Sequence, residues 1–184
     1  LLSQKLKPIC DEYDFILIDC PPSLGLLTIN ALAASKELIV PMQAHFLALQ
    51  GVSRLFETVS LLVNGINPEL QVTGVVLCMF EGQTNLAKEV VDDLKEFFKT
   101  SREHAVPWKY CQILTPPIRR NVKLAEAPSF GQTIFDYEPE CAGAKDYAAL
   151  AQSVLEIDPL IRIQTTVEAK PAEESSEQMI HVAE

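Results

Sequence analysis

"DFILIDCPPSLG", Asp14 to Gly25, decides how the rest of the chain is read. Four apolar residues, Phe15 to Ile18, run into one carboxylate, Asp19. A short unbroken apolar run predicts a strand over Phe15–Asp19, covered on both faces as in the middle of a parallel sheet. Cys20, Pro21, Pro22 and Ser23 cannot prolong it. Proline has no amide hydrogen and pushes the residue before it out of the helical region, so a helix cannot begin at once either. The chain therefore leaves the sheet as a loop beside the carboxylate. Ligands of parallel sheets bind off the carboxyl ends of the strands. Two readings of Asp19 stay open at this level: it holds Mg²⁺ through water next to phosphates, or it caps a turn.

Downstream, the pattern alternates between strand and helix. Leu1–Asp11 reads as the end of a helix and Leu26–Ser35 as another. "LIVP", Leu38–Pro41, reads as a second strand. Leu47–Val63 has apolar residues at helical spacing (Val52, Leu55, Phe56, Val59, Leu62, Val63). "NGINPE", Asn64–Glu69, is a loop. Val72–Phe80 is a third strand. Asn85–Lys99 is a helix with Leu86, Val90, Leu94 and Phe97 on one face and Asn85 as its cap. Thr100–Pro117 is irregular apart from "CQIL". Gly143–Glu156 is a last helix, carried by Tyr147, Leu150, Ala151, Val154 and Leu155. This order predicts an α/β fold with a parallel or mostly parallel sheet flanked by helices. Residues 1–158 form the folded part. Residues 159–184 hold five acids and two bases without periodicity, and read as an acidic, disordered tail.

Composition narrows the class. The 184 residues are 48% hydrophobic, with mean hydropathy +0.12 and net charge −10. That is a globular balance, and it excludes a protein that is basic all over, though not a local basic patch. No apolar run approaches the roughly 18 residues of a membrane span, so no membrane is expected. The cysteines, Cys10, Cys20, Cys78, Cys111 and Cys141, are odd in number and lack any CxxC pair. They read as reduced, mostly buried thiols in a cytoplasm. Cys20 and His45 lack a third orienting group, so a thiol nucleophile is disfavoured. His45 reads as a loop or capping residue and His104 as exposed. Trp108 reads as an anchor for its loop. Lys88, Glu89, Asp92, Asp93, Lys95 and Glu96 read as a solvated helix face.

Four separated stretches then point one way: "YDFILIDCPPSLGLLTINAL", "IVPMQAHFLALQGVSRL", "GVVLCMFEGQTNLAKEVVDDLKEFF" and "RRNVKLAEAPSFGQTIFDYEP". In that order, over roughly residues 13–155, they resemble the ParA/Soj family of chromosome- and plasmid-partitioning ATPases. The resemblance implies a P-loop NTPase-like fold and an ATP- and Mg²⁺-dependent homodimer on non-specific DNA. It also implies a cytoplasmic, nucleoid-associated protein stimulated by a ParB-like partner. It makes "IDCPPSLG" the Walker-B segment, with Asp19 the Mg²⁺-associated acid and Pro21, Pro22 and Ser23 opening the γ-phosphate switch. Met79–Gln83 and Arg120–Asn121 fall where the family builds its adenine pocket and dimer face. Arg119, Arg120 and Lys123 are the DNA-binding candidates, since a few clustered cations suffice for phosphate contacts.

The departures bear on activity. The family's KGGxGKT phosphate loop does not occur in these residues, and the seven glycines are dispersed. The second acidic motif, which positions water, is likewise absent. The fold is thus expected to be incomplete, the C-terminal part of such an ATPase, and inactive alone. Glu81 and Gln83 stand where Asp and Arg are common, Arg119 where Pro is, and His45 where Glu is. Two other readings are a truncated, non-hydrolysing interaction module and a MinD-like membrane-cycling ATPase. The latter predicts a basic amphipathic C-terminal helix, against the acidic composition of the tail.

Overall fold

Strands β1 (Glu37–Gln43), β2 (Gln71–Cys78) and β3 (Gln112–Leu114) pair in parallel, in the spatial order β1-β2-β3. These elements come from a computed structural model that describes residues 2–21 and 23–157. The helices are α1 (Leu2–Leu6), α2 (Leu26–Leu32), α3 (Phe46–Gly65), α4 (Asn85–Ser101), α5 (Val122–Glu126), α6 (Ile134–Tyr137) and α7 (Ala142–Leu155). Turns of 3₁₀ helix, Lys7–Glu12 and Ala127–Phe130, follow α1 and α5. The second turn closes on Gly131, whose φ of 64° is the left-handed value that glycine adopts without strain.

Sheet order explains the layers. Two right-handed crossovers that advance in the same direction put both connecting helices on one face. The stripe Val52, Phe56, Val59 and Leu62 of α3 and the stripe Val90, Leu94 and Phe98 of α4 accordingly share one core with Val72, Val75 and Leu77 of β2. The opposite face is covered by α7, whose Leu150 packs with Val76, Leu114 and Ile118. Six consecutive residues, Val72 to Leu77, are buried, as a central parallel strand requires. Trp108 anchors its loop on the first core: it stacks on Phe56 at 4.8 Å between centroids and donates from Nε1 to Ser101 Oγ at 3.2 Å.

Several expectations are corrected. Phe15–Asp19 is not a strand: it pairs with no strand among the described residues, and Phe15, Ile16 and Leu17 are exposed. A strand exists through its ladder, and an apolar run without a partner cannot make one. Conversely, Gln112–Leu114 within "CQIL" is a strand, paired to Gly74–Val76. The cap of α4 is Thr84, whose Oγ1 accepts from Ala87 N at 3.2 Å, rather than Asn85. On α4, Ala87 and Phe98 are buried where Leu86 and Phe97 were expected. On α7 the inner face is Gly143, Ala144, Asp146 and Leu150, while Tyr147 and Leu155 are exposed. Of the thiols, Cys111 is buried, Cys20, Cys78 and Cys141 half-buried and Cys10 exposed, all unpaired. Burial raises the Cys111 pKa to about 12, which makes it inert. By length and composition α3 is apolar enough to cross a membrane, against the expectation from run length. Its inner stripe nevertheless belongs to the sheet core. The tail expected over 159–184 lies outside the described residues, as does Pro22.

Candidate functional site

Because the strands are parallel, their carboxyl ends at Gln43, Cys78 and Leu114 share one edge, and the loops that leave it are the candidate site. Two of these loops are laced together. Phe80 N donates to Ile118 O at 2.9 Å, Ile118 N donates to Leu77 O at 2.8 Å, and Phe80 bridges to Arg119. This sets Met79–Gln83 beside Arg119–Asn121. Met79 has φ of 49°, left-handed for a residue with a side chain, a conformation that costs roughly 1–3 kcal/mol and clusters at functional sites. Gln43 Nε2 donates to Met79 Sδ at 3.6 Å, which ties the end of β1 to the same corner. His45 caps α3, its Nδ1 accepting from Ala48 N at 3.3 Å, as the sequence suggested. His104 is exposed, as expected.

Each of the three cations proposed for DNA holds a carboxylate. The Arg119 guanidinium donates to both oxygens of Asp146, at 2.7 and 2.9 Å, and its backbone N–H donates to Asp146 Oδ2 at 3.1 Å. Arg120 Nη1 donates to Glu81 Oε1 at 3.0 Å, an exposed pair of little energetic weight that joins the two loops. Lys123 Nζ donates to Glu126 Oε2 at 2.9 Å, and Tyr137 Oη donates to the same oxygen at 3.0 Å. The hydrogen bond from Lys123 holds the Glu126 carboxyl below its ordinary range, and the same bond raises the lysine. Asn121 caps α5, its Oδ1 accepting from Lys123 N at 2.8 Å.

Asp146 is the residue that sequence reasoning missed. It is 5% exposed and charged on a helix face otherwise made of Gly143, Ala144 and Leu150. An acid on the inner stripe of an amphipathic helix is the available signal, since a buried carboxylate needs a partner. Hydrogen bonds from the Arg119 guanidinium hold its pKa below the ordinary carboxylate value. A depressed folded-state pKa stabilises the protein above the unfolded value near 4, and that contribution is lost as pH falls through the folded value. Asp146→Asn is therefore expected to flatten the acid limb of stability. Urea midpoints measured from neutral pH downward check this; an unchanged acid limb would place the dependence elsewhere.

Asp19 stands apart. It is exposed and makes no hydrogen bond or ion pair among the described residues. Pro21 and Ser23 are exposed, and the Ser23 carbonyl accepts from Thr28 Oγ1 at 2.6 Å at the start of α2. No hydrogen bond or ion pair joins these residues to Met79, Arg120 or Asn121. A free carboxylate is a hard oxygen donor that fits Mg²⁺, which commonly uses one or two protein carboxylates and water. The phosphates are not provided for: no glycine-rich loop with a lysine is present, and Arg119, Arg120 and Lys123 are paired to acids.

An AAA domain family model matches residues 1–72. The chromosome partitioning protein ParA of Myxococcus xanthus is 40% identical over 157 residues, 85% of this chain and 52% of that protein. The sporulation initiation inhibitor protein Soj of Bacillus subtilis is 41% identical over 153 residues, 83% of this chain and 56% of that protein. The chain belongs to the ParA/Soj family. It spans about half the length of the curated relatives it matches. The crystal structure of cobyrinic acid a,c-diamide synthase from Mycobacterium smegmatis with bound ADP and magnesium superposes with TM-score 0.57 at 26% identity. That match covers 95% of this chain and 57% of the synthase. Parallel sheet and flanking helices are thus those of the family, whereas the strand expected at Phe15–Asp19 has no counterpart in this chain's sheet.

Proposed function

We propose that the complete protein is a partitioning ATPase of the ParA type, segregating a chromosome or plasmid as an ATP- and Mg²⁺-dependent dimer on non-specific DNA. What supports this reading is the carboxyl edge of the sheet, where the interlaced loops set Met79–Gln83 against Arg120–Asn121 in a family member. Asp19 takes the Mg²⁺-associated role, with Pro21, Pro22 and Ser23 as its switch. Bound Mg²⁺·ATP supplies the phosphoryl group and the charge neutralisation of its own transfer. The chain's residues would do less: Asp19 would hold Mg²⁺ through water, Met79 and Asn121 would border the base, and Arg120, paired with Glu81, would lie beside them. The protein works in the cytoplasm at the nucleoid, with a ParB-like stimulator.

The test uses the full reading frame that encodes residues 1–184. Asp19→Asn is expected to abolish phosphate release while changing stability by no more than about 0.5 kcal/mol, because the side chain is exposed and has no hydrogen-bond or ion-pair partner among the described residues. Loss of folding in that variant would make Asp19 structural. In duplex-binding titrations at two salt concentrations, Arg120→Ala and Lys123→Ala are each expected to lower affinity on any sequence and flatten the salt slope by about one unit. An unchanged slope would remove these cations from the DNA surface.

A further inference from the structure

Helix α7 grips the turn Arg119–Asn121 at both ends with one of its faces. Before the turn, Asp146 takes the Arg119 backbone N–H at 3.1 Å and its guanidinium at 2.7 and 2.9 Å, so one carboxylate fixes main chain and side chain together. After the turn, Leu124 of α5 lies so close to Gly143 that a Cβ there would meet its Cγ at 2.6 Å. Gly143 and Asp146 are three residues apart and share the buried face of α7. The residues between the two grips point elsewhere: Arg120 reaches Glu81, and the Asn121 side-chain oxygen caps α5. The path of the turn is thus set from α7. An ion pair is a poor choice for stability alone. Asp146 is 5% exposed, and taking its carboxylate out of water costs energy that a pair with a more than half-exposed guanidinium need not offset. An apolar residue, like Ala144 and Leu150 on the same face, would serve packing as well. What a bidentate pair supplies and an apolar contact lacks is direction.

We propose that Asp146 is a positioning residue of the nucleotide site, acting through Arg119 to hold Arg120 and Asn121 in the geometry that borders the base. The inference rests on the ATPase reading above, since it needs a base beside Met79 and Asn121. Asp146 itself touches no nucleotide and takes no part in phosphoryl transfer. A turn held in place before the ligand arrives lowers the ordering cost of binding. Released from Asp146, the same turn has to be ordered at each binding event, so the loss falls on affinity. Asp19 serves the phosphate end, so its loss falls on turnover. The two acids therefore separate in kinetics: Asp146 acts on KM and Asp19 on kcat.

The test is ATP hydrolysis, without DNA, by the product of the full reading frame that encodes residues 1–184. Asp146→Asn keeps the shape of the side chain and one acceptor but cannot take the bidentate pair. It is expected to raise KM about tenfold and to leave kcat within about twofold of wild type. Arg119→Ala/Asp146→Ala removes both charges, so no carboxylate stays buried and unpaired. Because Asp146 acts through Arg119, the KM of this double variant is expected to match that of Arg119→Ala rather than exceed it. A second readout needs no nucleotide. In residues 1–184, hydrogen exchange at the Phe80 and Arg119 amides is expected to quicken in Asp146→Asn, while exchange along α3 stays as in wild type. An unaltered KM, a fall in kcat at constant KM, or unaltered exchange at Phe80 and Arg119 overturns the inference and leaves the ATPase reading standing. Faster exchange throughout α3 and α4 overturns it too, since the pair would then be structural. A wild-type protein that binds no nucleotide overturns the ATPase reading itself, and the role of Asp146 falls with it.

Discussion

Purified residues 1–184 are expected to release no phosphate from Mg²⁺·ATP above a protein-free blank. A phosphoryl-transfer site is almost entirely positioning and charge. The positioning comes from successive backbone N–H groups around the β- and γ-phosphates and from a lysine held against them. Among the described residues, the glycines are dispersed and no two lie within five positions of each other, and the cations at the sheet edge pair with Asp146, Glu81 and Glu126. Asp19 cannot replace that cradle, since a carboxylate repels phosphate unless a cation lies between them. Coupled phosphate detection over hours at millimolar nucleotide checks this. Turnover comparable to an intact ParA relative, abolished by Asp19→Ala, would mean that these residues build a phosphate site by another route.

How far the sequence revealed the molecule differs from one element to the next, for physical reasons. The long helices α3 and α4 were legible because a buried stripe repeats at helical spacing over several turns. Two errors of register, Leu86 for Ala87 and Phe97 for Phe98, fall where apolar residues adjoin at the stripe's border. β1 and β2 were legible as apolar runs between turn signals. β3 was not, because three residues have no period. Gln112–Leu114 is a strand only through its pairing to Gly74–Val76. Phe15–Asp19 is the converse. Its composition describes what a covered strand would bury, but composition does not supply the neighbouring strand. The corner where Glu81 meets Arg120 joins two stretches that the family motifs single out, whereas the buried Asp146 that fixes Arg119 depends on contact between distant segments. Periodicity reads faces; it does not read which distant residue completes a charge.

The second large effect is on stability. Phe56→Ala is expected to lower the free energy of unfolding by about 3–5 kcal/mol. Phe56 is 2% exposed and sits where α3, α4 and the 102–111 loop meet. Its ring stacks on Trp108 at 4.8 Å and tilts against Phe97 at 6.0 Å and Phe98 at 6.4 Å. Truncation therefore removes the transfer energy of a large ring and leaves a void bounded by three aromatic rings. These cannot collapse into it, because Trp108 is tethered by its bond to Ser101 and Phe98 is fixed on α4. Loss of the void's contacts adds to the loss of burial. The thermal midpoint should fall by roughly 6–20 °C at about 2–4 °C per kcal/mol for a domain of this size. Trp108 fluorescence should also shift to the red as solvent reaches its exposed face. Phe46→Ala is the matched control: Phe46 opens the same helix but is 61% exposed, so its removal should cost little. If the two variants melted together near the parent, the aromatic cluster would not be what joins the two crossover helices to the sheet.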